Sequence, residues 1–175
     1  FQFHDEKTVA IKFSRRKTAQ DNPTIKLYGK NIKFVEQYKF LGITFDRKLT
    51  FKAHIHNIKA KANSKLNIIK MLRCSQIGSD PRTLLKILCS IVLPTIDYAS
   101  IIYSSANKTN LKILEPILNT GIRLSIGAFK TSPAISMQII SSCPPLYLRR
   151  LKYLLNYTLK ILALQNHPLY EKITN

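Results

Sequence analysis

Two patterns of apolar residues divide the chain. Up to about residue 46 they alternate. Val9, Ile11 and Phe13 fall on one side of an extended segment, with Lys12 and Ser14 on the other, the signature of a half-buried strand. A polar stretch from Arg15 to Pro23, carrying the cluster Arg15-Arg16-Lys17, reads as a loop. Ile25 and Leu27, a turn at Gly29-Lys30-Asn31, then Ile32 and Phe34 predict a hairpin. Tyr38 to Phe45 reads as a further strand with Gly42 inside it. An interior glycine marks a bulge, or a place where another backbone or a ligand comes close.

After Asp46 the period becomes helical. Thr50 is the predicted N-cap. Phe51, Ile55, Ile58, Ala62, Leu66 and Ile69 recur through about Arg73, within one stripe of about 80°. Lys52, His56, Lys59, Asn63 and Lys70 form a second, polar stripe about 60° wide. Asp80-Pro81, a capping acid followed by proline, opens a helix through Leu84, Leu85, Leu88 and Ile91 that bends or breaks near Pro94. A third helix is predicted from Asn110 to Ile126, closed by Gly127, with Pro116 in its first turns. Ser132-Pro133 starts a short fourth, and Pro144-Pro145 precedes a long last one from Leu148 to about Leu164. The fold class is α+β, mainly α: a small antiparallel β unit leading into a helical bundle.

Charge narrows the partner. The 175 residues hold 28 Lys and Arg against 9 Asp and Glu, a net +19. Residues 1–73 carry 17 basic and 5 acidic side chains, and residues 74–175 carry 11 and 4. With 45% hydrophobic residues the chain has the apolar content to fold, unlike a disordered polycation. The lysines interleave with apolar positions, so they belong to the surface of a folded body, and nucleic acid is the favoured polyanion. No apolar run approaches the ~18–20 residues that span a bilayer, so no membrane partner is expected. Cys74, Cys89 and Cys143 form no CxxC pair and suggest no disulfide framework, which favours a reducing, intracellular compartment. The start at Phe1-Gln2 reads as a piece of a longer protein.

Catalytic motifs are scarce. Asp5-Glu6 is the one adjacent pair of carboxylates, whereas two-metal phosphoryl transfer needs carboxylates converging on ions ~4 Å apart. His54 and His56 diverge by about 200° on a helix, so they share no metal; at most His56 joins the basic stripe. No metal site and no small-molecule cofactor is expected. A phosphate-cradling glycine loop and a nucleophile with a nearby base are likewise missing from the sequence.

Four stretches, taken together, carry more. They are His4-Asp5-Glu6-Lys7-Thr8 with the strand after it; Tyr38 to Asp46 with Leu49-Thr50-Phe51 and His54-Ile55; Leu93-Pro94-Thr95-Ile96-Asp97-Tyr98-Ala99; and Gly127 to Pro133 with Pro144-Pro145-Leu146. In this order and spacing they resemble the downstream half of the reverse transcriptase of non-LTR retrotransposons of the jockey type. The resemblance implies the end of a polymerase palm over residues 1–48, thumb helices over 49–106 and a C-terminal connection over 107–175. It makes Lys7 a candidate general acid and Phe40, Leu41 and Gly42 a primer-grip-like hairpin. It also makes the stripe of Lys52, His56, Lys59, Asn63 and Lys70 a surface for an RNA template paired with a DNA primer. Catalytic aspartates would precede Phe1, so the fragment is expected to be inactive alone, Mg²⁺ serving the intact enzyme. The family implies a nuclear location, a cytoplasmic ribonucleoprotein, or both. Ala99 stands where the family pattern has glycine. The alternative from composition alone is a self-standing basic helical nucleic-acid-binding module.

Overall fold

Strands come first and helices follow, as the two periodicities require. The computed structural model describes residues 3–4, 7–16, 23–74 and 78–174. Asp5-Glu6, most of the loop from Arg15 to Pro23 (Lys17 included) and the side chain of Cys74 lie outside the described residues. Contacts divide the chain into two compact units, Phe1–His54 and Ile55–Asn175.

The first unit contains β1 (Val9–Ala10), β2 (Lys26–Leu27), β3 (Lys30–Asn31), β4 (Lys33–Phe34), β5 (Gln37–Phe40) and β6 (Ile43–Asp46). Two of its pairings are antiparallel hairpins, β2–β3 and β5–β6. The third corrects the expected antiparallel unit: β1 runs parallel to β4, with Val9 beside Lys33 and Ala10 beside Phe34. Both hairpin turns also differ from expectation. The first turn is Tyr28-Gly29, which leaves Lys30-Asn31 in the returning strand. The second is Leu41-Gly42, so Gly42 is a turn residue and not the interior of one strand. In each, both central residues have positive φ (50° and 79°, 46° and 84°), the twist that two-residue hairpin loops demand.

The second unit is helical. α1 (Lys52–Cys74) begins inside the first unit and runs into the second; α2 (Pro81–Ile87) follows. Asp80 caps α2 as predicted, its carboxylate accepting from the N–H groups of Arg82 (3.1 Å) and Thr83 (3.3 Å). The expected disturbance at Pro94 is a π-helical turn, Leu88–Val92, joining α2 to α3 (Leu93–Asp97). Proline lacks the N–H and crowds the carbonyl four residues back, and the wider turn absorbs that defect.

α4 (Ser100–Tyr103), α5 (Lys108–Lys112) and α6 (Glu115–Ile126) come next. The single helix expected from Asn110 to Ile126 is thus broken ahead of Pro116, which cannot extend a helix already begun. Gly127 closes α6 in the left-handed conformation, as predicted. α7 (Ala134–Ile140) starts after Pro133, which occupies the cap position without a side-chain bond, so Ser132 is not the cap. α8 (Leu146–Ala163) begins directly after Pro145, two residues earlier than expected, and α9 (Tyr170–Thr174) follows it.

All six residues of the α1 stripe are buried. Leu66 of α1, Leu88 of the π turn and Gly121 of α6 meet where a Cβ on Gly121 would lie 2.4 Å from Leu88 Cδ1 and 3.2 Å from Leu66 Cδ2. The glycine is what lets these elements approach. Cys89 and Cys143, distant in sequence, bring their Sγ atoms to 3.9 Å as free thiols. Burial, then the neighbouring Cys143, pushes the Cys89 pKa up to about 11.

Candidate nucleic-acid interface

The register of β5–β6 sorts its side chains by face. Tyr38 opposes Phe45 and Phe40 opposes Ile43, so these four share one face, while Gln37, Lys39, Thr44 and Asp46 share the other. On the apolar face Ile43 is buried and Phe45 half-buried, Phe45 stacking edge-to-face on Phe13 and Phe51. Tyr38 and Phe40 are exposed, and Leu41 at the turn is 73% exposed. Phe40, Leu41 and Gly42 therefore form a tip that presents two large apolar side chains and a positive-φ glycine to solvent.

Asp46 connects that hairpin to α1. Its carboxylate accepts from Thr50 N–H (3.0 Å), Thr50 Oγ1–H (3.0 Å) and Phe51 N–H (2.7 Å). Burial would raise its pKa, and these hydrogen bonds outweigh burial and hold it below the usual value. The predicted Thr50 cap is shifted: α1 begins at Lys52, and Thr50 Oγ1 accepts from Lys52 N–H at 3.4 Å. Asp46 thus holds the two residues that lead into α1, a role that the sequence reading did not identify.

Along α1, Lys52, His56, Asn63 and Lys70 are exposed and Lys59 is half-buried, beside the buried stripe. Helical rise places Lys52, Lys59 and Lys70 about 10 and 16 Å apart along the axis. Lys70 Nζ donates to Asn67 Oδ1 at 3.3 Å, which steadies its head without burying it. His54 separates from His56 as the helical angle requires: it is buried, and its Nδ1 accepts from Thr44 N–H at 3.4 Å. Lys65 is spent on structure, its Nζ donating to Thr95 Oγ1 (2.6 Å) and Ile91 O (3.3 Å). Lys7 is exposed two residues before β1. Lys52, His56, Lys59, Asn63 and Lys70 share one helix, and Phe40, Leu41 and Gly42 share one turn.

Asp97, within the third motif, has a role that sequence reasoning missed. Its carboxylate accepts from Arg149 Nε (3.3 Å), from Arg149 Nη2 and from Tyr153 Oη–H (3.2 Å), tying α3 to α8. The hydrogen bond to Asp97 outweighs burial and raises the Arg149 pKa. Among the described residues no group of three or more His, Cys, Asp or Glu is placed to hold a metal ion. No helix among the described residues is long and apolar enough to cross a membrane.

Comparison with curated proteins decides what family this surface belongs to. Over 129 residues, 70% of the chain, it is 32% identical to the "RNA-directed DNA polymerase from mobile element jockey" of Drosophila melanogaster. Over 111 residues it is 30% identical to the "Retrovirus-related Pol polyprotein from type-1 retrotransposable element R1 4" of Nasonia vitripennis, covering 62% of the chain. The chain is a homologue of the jockey and R1 non-LTR retrotransposon RNA-directed DNA polymerases. The jockey polymerase of Drosophila funebris is 27% identical over 109 residues, again 62% of the chain. This polymerase homologue spans 13%, 28% and 12% of the three relatives' lengths, in the order given. No family model and no solved structure matches it.

Proposed function

We propose that this chain is the part of a retrotransposon reverse transcriptase that grips the paired RNA template and DNA primer. The observation that carries the reading is the cationic row of α1. Lys52, Lys59 and Lys70, with His56 and Asn63 between them, flank a fully buried apolar stripe in a homologue of RNA-directed DNA polymerases. Charges in a row on a rigid rod meet successive phosphates without reading bases, so binding is sequence-tolerant. In this reading residues 1–48 end the palm, 49–106 form the thumb and 107–175 the connection.

The exposed tip of Phe40, Leu41 and Gly42 suits a primer grip, because a turn glycine permits close backbone approach. Lys7, exposed beside the first strand, is the matching general acid for the leaving pyrophosphate. The intact enzyme would use Mg²⁺, and the described residues do not fit such an ion, lacking a carboxylate cluster. These 175 residues are accordingly inactive by themselves. The enzyme works in the nucleus, in a cytoplasmic ribonucleoprotein, or both.

The test is the salt dependence of binding to a hybrid duplex. Log affinity falls against log salt by about 0.9 per neutralised phosphate on B-form DNA. Replacing Lys52, Lys59 and Lys70 by Gln should weaken binding and flatten that slope by up to about three contacts' worth. An unchanged slope with unchanged helicity refutes the assignment.

A further inference from the structure

α8 is apolar on two faces, and one of them is exposed among the described residues. Leu146 and Ile161 are buried in the helical unit. At 100° per residue Tyr147, Leu148, Leu151, Leu155, Leu159 and Leu162 fall on a separate arc of about 120°, broken only by Thr158. Each of the six is between 40% and 63% exposed. Leu148, Leu151, Leu155 and Leu162 keep the three-and-four spacing of a helix seam. The arc exposes on the order of 600 Å², at the upper end of the largest apolar patches on monomers, which are often functional.

The arc continues into a groove of about 800 Å³ between α5 and α8, where Leu111, Tyr147, Leu151 and Leu154 form apolar wall. Its charges come from Lys108, Lys112 and Arg150, against one carboxylate, Glu115. On the far edge of the arc stands Lys152, and α8 contains no acidic residue. The apolar strip is therefore bordered by cations on both sides.

We propose that this face docks an amphipathic helix of a separate polypeptide, one with a leucine-type stripe flanked by glutamates or aspartates. Charge complementarity selects it. A second copy would set Lys152 and the groove's Lys108 and Lys112 against their own kind, at +19 per chain. Across its length the arc with its groove approaches the ~800 Å² per partner of a standard interface.

The experiment titrates the 175-residue chain with two synthetic helical peptides that share one leucine stripe and differ only in flanks, all Glu or all Lys. The Glu peptide should bind at least tenfold tighter. Leu151→Asp with Leu155→Asp should lower that affinity at least tenfold, with unchanged circular dichroism. If that pair misfolds, Leu155→Gln and Leu159→Gln, at the two most exposed leucines of the arc, take its place. Lys152→Glu with Lys112→Glu should move the preference toward the Lys peptide. Equal binding of both peptides overturns the proposal, as does binding indifferent to the α8 variants. An α8-dependent dimer of the chain alone assigns the face to a second copy and overturns it. So does α8-dependent binding of phosphatidylserine vesicles, or of single-stranded RNA, with which the Glu peptide does not compete.

Discussion

Asp97 is the residue whose loss should most clearly loosen the end of the helical unit. Asp97→Ala removes the acceptor for two Arg149 N–H groups and for the Tyr153 hydroxyl. Fully exposed ion pairs contribute ~0–1 kcal/mol, and breaking a fully buried one costs ~3–5 kcal/mol. The Asp97 side chain is 10% exposed and that of Arg149 20%, nearer the buried limit, with water able to solvate part of the orphaned guanidinium. The expected cost is about 2–3 kcal/mol. At this chain length that lowers Tm by roughly 5–10 °C. Urea unfolding followed by far-ultraviolet circular dichroism measures it, with the m value held constant as the check on two-state behaviour. A double-mutant cycle with Arg149→Met isolates the pair, with an expected coupling of at least about 1 kcal/mol. A coupling below about 0.5 kcal/mol, the error of additivity between independent sites, would refute the reasoning. Arg149 would then owe its place to packing of its stem.

Other predictions concern single positions. Ala99 sits in the left-handed region at φ 54°, ψ 21°, so Ala99→Gly should stabilise the chain by ~1 kcal/mol and raise Tm by about 2–4 °C. Gly121→Ala should destabilise by ~1–3 kcal/mol through overpacking against Leu88 and Leu66, although alanine is the better helix former; thermal unfolding decides the sign. For Asp46, whose folded pKa is depressed below 3.8, the charge-dependent stability is present above the unfolded pKa and lost as pH falls through the folded one. The stability gap between wild type and Asp46→Asn should therefore be constant above about pH 5 and shrink below about pH 4. A gap independent of pH would show that the Asp46 charge contributes nothing to holding Thr50 and Phe51.

Much of this was legible where the signal is local. The α1 stripe was read in full because six apolar residues at helical spacing leave one face to bury. Asp80-Pro81 was read because a capping acid before proline has few other uses. The Leu41-Gly42 turn was hidden because leucine rarely takes positive φ, so nothing upstream of Gly42 announces a reversal. Asp97 and Arg149 lie 52 positions apart, and a lone acid after a proline carries no mark of its partner. The two faces of α8 show a further limit: periodicity tells which side chains are apolar but not which of them the rest of the fold covers. On α1, Lys65 and Lys59 are alike as sequence, and only the packed structure reveals that Lys65 is spent on Thr95 and Ile91.

The parallel pairing of β1 with β4 bears on the order in which the chain assembles. The β5–β6 hairpin closes a loop of two residues and can zip within microseconds. β1 must find β4 across some two dozen residues, from Val9 to Lys33, and holds it with only two residues of register. The loop-closure entropy is charged before those few bonds form. The hairpin tip should thus be present early, with β1 arriving last and opening first. In hydrogen exchange the Val35 amide, which donates to Ala10 O at 2.9 Å, should exchange by sub-global opening, well ahead of the α1 amides that report global unfolding.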